Sequence, residues 1–252
     1  MRYIKNSQLN CFSPPVMIAT FAIEICLAVY VLWRYKLNDV TRLAAAILVL
    51  LGVFQLAEYN VCEGSFGMSS LEWSRIGYIA ITMLPPLGFH LATKLAGQRK
   101  RIAVTAAYTT GLAFAAFFAF SGSGITSPMC LGNYVIFETA PGSSALYGLY
   151  YYSWLIVGTG YSLLQAFSGT IAKHKARALK ALAVGYLAFI LPTTTVNIVD
   201  PSTMAGIPSI MCGFAVIFAL ALAGEVLPQY FRQSAATDII QSKGLLGGKT
   251  TK

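Results

Sequence analysis

The sequence predicts an all-α polytopic membrane protein: a bundle of seven transmembrane helices with its N-terminus outside and its C-terminus in the cytoplasm. Three observations lead there. The 252 residues are 56% hydrophobic and only 11% charged, too few charges to clothe a soluble globule of this size. Apolar runs near the roughly 20-residue length that crosses a hydrocarbon core recur at 13–34, 42–62, 73–95, 100–121, 147–168, 177–199 and 206–228. They are continuous rather than alternating, which makes them helices and not barrel strands. The basic residues, finally, crowd into every second connection. Arg34, Lys36 and Arg42 follow the first run, Lys94, Arg99, Lys100 and Arg101 the third, and Lys173, Lys175, Arg177 and Lys180 the fifth. Arg232, Lys243, Lys249 and Lys252 follow the seventh, whereas the connections at 63–72, 122–146 and 200–205 contain no Lys or Arg and only Arg2, Lys5 and Arg75 lie on that side. The positive-inside rule then sets the orientation, and the net charge of +9 reflects topology rather than nucleic-acid binding.

Residues 1–12 read as an outer N-terminal segment, 13–232 as the helical domain and 233–252 as a flexible cytoplasmic tail. No cleavable signal peptide is expected, because the first run has spanning length and ends in Trp33-Arg34-Tyr35-Lys36, a stop-transfer flank. That run starts at Ser13-Pro14-Pro15, where proline's missing donor costs little. Near its midpoint Glu24 either faces the bundle and finds a donor or stays uncharged.

The second run carries Gln55, Glu58 and Cys62 at spacings of three and four, one stripe along a helix. A polar stripe in lipid must face protein or water, so these residues, in the outer third of the membrane, are expected to line a cavity, the alternative being simple interhelical glue. The third run begins at Trp73, an interfacial anchor. Pro85-Pro86 in its interior predicts a kink, with His90 and Lys94 one turn apart below it. The fourth run, nearly free of strong polar groups, reads as lipid-facing scaffold. The connection 122–146, rich in Gly, Ser and Pro, is expected to be either a lid over the outer mouth or plain connection. The fifth run opens with Tyr147, Tyr150, Tyr151, Tyr152 and Trp154, which read as an outer aromatic belt.

In the sixth run, Pro192 is followed by Thr193, Thr194, Thr195 and Asn197, at the depth of Gln55 and Glu58. That coincidence predicts one outer-leaflet binding site built from Gln55, Glu58, Thr194 and Asn197, with Glu58 as the central contact, so that Glu58→Gln abolishes any ligand effect. The seventh run adds Cys212 at similar depth and Glu225 near the cytoplasmic end.

Several chemistries are excluded. A retinal Schiff base needs a lysine in the last helix, and 206–228 has none. A multi-histidine zinc site needs more than His90 and His174, which also stand too far apart in the topology for paired haem ligands. No Walker loop, Gly-x-Ser-x-Gly elbow or Cys-x-x-Cys pair occurs, so no motif assigns a catalytic residue or a cofactor. Cys11, Cys62 and Cys130 map to the outer side, where an oxidising exterior permits a Cys62–Cys130 disulfide. Cys11 and Cys62 with Glu58 or Glu63 could instead hold a soft metal.

Cys11-Phe12-Ser13, followed a helix later by Gln55-Leu56-Ala57-Glu58, resembles a group of uncharacterised multispanning membrane proteins that open Met-Cys-Phe-Ser and carry Gln-x-x-Glu at the end of helix two. Here Asn10 rather than an initiating Met precedes the cysteine. Trp73 through Leu91, with Pro85-Pro86 and Phe89-His90, is similar to the third helix of seven-helix sensor modules of bacterial histidine kinases, though no output domain follows in this chain. Neither resemblance implies a known activity.

The leading expectation is a receptor-like or accessory protein of the cell membrane that binds a small molecule, lipid or partner helix. Its partners would be membrane lipids and such a ligand, not nucleic acid. One alternative is a proton-coupled transporter relaying through Glu24, Glu58, His90 and Glu225; another is a metal or redox protein at the outer cysteines.

Overall fold

The computed structural model describes residues 14–64, 67–121, 124–125, 127–130, 135–138 and 142–232. The segments at 1–12 and 233–252, and with them Cys11 and the Cys11-Phe12-Ser13 motif, lie outside the described residues. The described chain is helical throughout except for one small hairpin. Its elements are α1 (Pro14–Arg34), α2 (Asp39–Glu63), α3 (Ser70–Thr82), α4 (Leu84–Ala96), α5 (Arg101–Phe120), β1 (Ser127–Cys130), β2 (Val135–Glu138), α6 (Ser143–Phe167), α7 (Lys173–Val199) and α8 (Ile207–Ala221). Among the described residues, six helices are long and apolar enough to cross a membrane: α1, α2, α3 with α4, α5, α7 and the rod Ile207–Arg232. With 25 residues α6 matches them in length, but its tyrosines, serines and glycines dilute its apolar character.

Large apolar side chains fill the interior and also cover much of the outside. Trp33, Ile102 and Phe120 are more than four-fifths exposed, as befits side chains that meet acyl chains rather than water. The centre is α2, two-thirds of whose most apolar stretch is buried, whereas α5 is 22% buried and peripheral. Asn38 caps α2 by accepting from Thr41 N–H at 3.0 Å, and Ser69 with Glu72 forms a capping box at the start of α3.

The expected kink at Pro85-Pro86 is a break at Met83, so both prolines fall in the first turn of α4, where their missing donors are tolerated. Pro86 cannot donate to the carbonyl of Thr82 four residues back. The Tyr150 hydroxyl takes that role at 2.7 Å, so α6 completes the hydrogen bonding of the broken helix. In α7, Thr193, Thr194 and Thr195 each donate to the carbonyl four residues earlier, at 2.7, 2.8 and 2.8 Å, around the internal Pro192. A π turn at Leu222–Val226 precedes Pro228 and keeps the last rod continuous past a residue that would otherwise break it.

The connection after α5, expected to be either a lid over the outer mouth or plain connection, contains a small hairpin among its described residues. Ser127–Cys130 pairs antiparallel with Val135–Glu138, and Cys62 at the end of α2 is joined to Cys130 by a disulfide with a Cα–Cα separation of 5.6 Å. Val135 and Phe137 are buried, so the hairpin packs into the end of the bundle. We call this the hairpin end. At the opposite, basic end Lys94 pairs with Asp39, tying α4 to α2.

Candidate functional site

Two neighbouring features occupy the half of the bundle toward the hairpin end. The first is a buried acid pair. Glu24 is completely buried and neither carboxyl oxygen has a hydrogen-bond partner; Glu58, 1% exposed, lies within electrostatic reach of it. Glu58 is hydrogen-bonded through one oxygen to the hydroxyl of Ser209 in the first turn of α8, and its Oε1 has no partner. The backbone N–H of Val135 donates to the same Ser209 Oγ at 3.2 Å. Hairpin, α8 and α2 are thereby linked through one hydroxyl, which accepts from the strand and donates to the acid. Gln55, one turn before Glu58, is buried with its Nε2 unpartnered.

The second feature is a cavity of about 580 Å³ between the hairpin-end halves of α6 and α7, with α8 as its back wall and Tyr78, Ile81 and Phe137 above it. Tyr147, Tyr151 and Tyr152 face it from α6, Ile190, Thr194 and Asn197 from α7, and Met211 and Cys212 from α8. The Oδ1 of Asn197 is buried without a partner, and Thr194 Oγ1 spends its proton on the Ile190 carbonyl, which leaves its lone pairs free. Cys212 belongs to both features, since it lines the cavity and lies close enough to Glu58 and Glu24 to interact electrostatically.

The four residues expected to form one site are thus divided. Gln55 and Glu58 sit in the packed core between α2 and α8, while Thr194 and Asn197 line the cavity. The physical reason is that α8 packs on both α2 and α7 and stands between them. Equal depth along two helices does not reveal which third helix intervenes.

The tyrosines of α6 correct the aromatic-belt expectation. Tyr147, Tyr150 and Tyr151 are each less than a tenth exposed and turn inward. Tyr147 packs at tilted and edge-to-face angles among Tyr78, Phe114 and Phe118, and hydrogen-bonds Thr82 Oγ1 at 3.1 Å. Sequence reasoning missed Ser209, Tyr78 and Met211, none of which stands out from an apolar run.

The remaining candidates scatter. His90 pairs with the Tyr108 hydroxyl at 3.1 Å between α4 and α5, and Glu225 is exposed beside Gln229. Glu24 and Glu58 are therefore not continued by His90 and Glu225 into a file of polar groups. Cys62, bonded to Cys130, offers no thiolate to a metal, and among the described residues no three His, Cys, Asp or Glu side chains come together as ligands. Free Cys26 is exposed and free Cys212 buried.

No protein-family model matches the chain, and no curated protein matches it in sequence.

Proposed function

We propose that this chain is a multi-pass cell-membrane protein of receptor-like or accessory type that holds a small apolar molecule or lipid in the α6–α7–α8 cavity. In this reading α6 supplies a seventh crossing, the hairpin end faces outside and the basic end faces the cytoplasm. The asymmetry of Lys and Arg supports that orientation, as does a disulfide at the end predicted to meet an oxidising exterior. The single observation that carries the binding role is the cavity itself: about 580 Å³, aromatic and aliphatic in its walls, with an orphaned amide at Asn197. That combination is what small-molecule sites have in common. Glu58 then acts from behind, holding through Ser209 the helix that forms the back wall.

A variant that fills the space tests this reading. Gly148 lines the cavity, and a Cβ placed there meets nothing within 4 Å. The purified protein in nanodiscs should bind a neutral polarity-sensitive dye saturably, and Gly148→Phe should remove that binding. Equal saturable binding by both proteins would overturn the proposal.

Proton-coupled transport is the second reading, favoured by the burial beside Glu58 of Glu24, neither of whose carboxyl oxygens has a partner. It requires solute flux in proteoliposomes that changes with pH, and a flat response removes it.

A further inference from the structure

We infer that the cavity selects an uncharged, hydroxyl-bearing single-chain lipid, which enters sideways between α6 and α7 and offers its hydroxyls to Asn197 and Thr194; this rests on the cavity reading above. Four observations carry it. The first is charge: among the described lining residues there is no Asp, Glu, Lys, Arg or His. An ionised headgroup would lie among tyrosines and aliphatic side chains without a counter-charge, which a low-dielectric site strongly disfavours.

Hydrogen-bond polarity is the second. Asn197 Oδ1 is buried without a partner, and Thr194 has already donated its proton, so this face of α7 presents two acceptors that a ligand's O–H groups satisfy, beside lining hydroxyls at Tyr151, Tyr152 and Ser144 that can donate or accept. The two residues are three apart and share one face of α7, as a headgroup with more than one hydroxyl requires.

Third is the gradient along the chamber. Asn197, Ser144 and Pro208 lie toward the hairpin end, while Tyr151, Ile156, Ile190 and Met211 lie deeper. Beyond Tyr151, Met211 and Cys212 the walls are aliphatic and aromatic, with Tyr186 among them, around a further void of about 20 Å³. A lipid of the adjacent leaflet presents the same order, head toward the membrane surface and tail inward.

Fourth is the route. Leu149, Ile156, Leu191 and Ile198 are all more than half exposed on the outer surfaces of α6 and α7, so the entrance is framed by side chains that face acyl chains. A space of about 580 Å³ lies within the roughly 300–1,000 Å³ range of small-molecule sites, room for one chain with a small head.

The test uses three photoreactive probes with one diazirine-bearing tail and different heads: a glycerol monoester, a carboxylate and a trimethylammonium. Each is titrated into the full chain in nanodiscs, and the labelled peptides are mapped. The monoester should label α6 or α8 residues of the cavity saturably, at lower concentration than either charged probe. Asn197→Leu should weaken the monoester by about 3- to 10-fold, the worth of one ordinary hydrogen bond. It should leave unchanged a probe whose hydroxyls are methylated. Gly148→Phe and, as an independent filling variant at the mouth, Ser144→Trp should remove labelling by all heads, with thermal unfolding reported for each variant. Equal labelling by all three heads that both filling variants remove would leave the cavity reading standing and overturn the selectivity. Preference for a charged head would overturn it likewise. No saturable cavity labelling with any head would overturn both.

Discussion

Ser209→Ala is the substitution on which the coupling of hairpin, α8 and acid pair turns. The hydroxyl accepts from Val135 N–H at 3.2 Å and donates to Glu58, and both partners are 1% exposed or less. Removing it leaves two buried polar groups unsatisfied, each costing about 1–3 kcal/mol. The sum is about 2–6 kcal/mol. For a chain of this length about 1 kcal/mol moves the midpoint by roughly 2–4 °C. Thermal unfolding in detergent, followed by loss of the monomer peak on size exclusion, should therefore fall by no less than about 4 °C. Glu58→Leu removes the stranded acid, so the double variant Ser209→Ala/Glu58→Leu should be less destabilised than the two single losses added together. A coupling of about 1–3 kcal/mol is expected from that cycle. A Ser209→Ala midpoint within about a degree of the parent, or strict additivity, would refute the role assigned to this hydroxyl. Glu58→Gln keeps an acceptor for Ser209 and should change the midpoint little.

Other substitutions probe the rest of the framework. Tyr150→Phe strands the Thr82 carbonyl that Pro86 cannot serve and should cost about 1–3 kcal/mol in the same assay, whereas Tyr152→Phe, whose hydroxyl answers no such carbonyl, should not. Gly88→Ala places a Cβ against the hydroxyl of buried Tyr186 and should cost about 1–3 kcal/mol, partly relieved by Tyr186→Phe. The Cys62–Cys130 bond spans 68 residues, for which loop-closure entropy gives about 4 kcal/mol; helices that persist in the unfolded membrane state make this a ceiling. Cys62→Ser/Cys130→Ser should lower the midpoint, and reductant should shift the parent but not this variant.

Length and continuity of the apolar runs made the helices legible in the sequence, and Pro85-Pro86 announced the break between α3 and α4. The disulfide was among the pairings that topology permitted, because Cys62 and Cys130 fall at the same end. The cavity was only half legible. Thr194 and Asn197 stood out as polar residues in an apolar helix, but their pairing with Glu58 rested on depth alone. Depth is one coordinate of three, and it cannot show that α8 separates α2 from α7. The tyrosines of α6 were misread for a related reason: near a helix end, an interfacial ring and an inward-turned ring have the same sequence signature. Ser209 gave no signal at all, since a single serine in an apolar run is unremarkable until a strand and an acid meet it. The hairpin was hidden in a Gly-, Ser- and Pro-rich stretch whose pairing depends on the bundle end beneath it.

Ordered density in a structure solved from native membranes would decide most directly where this protein binds. An elongated feature between α6 and α7, with its polar end beside Asn197 and its tail toward Met211, is the expected result. Side chains collapsed across that space, or a bound group lodged instead against Gln55 and Glu58, would contradict it.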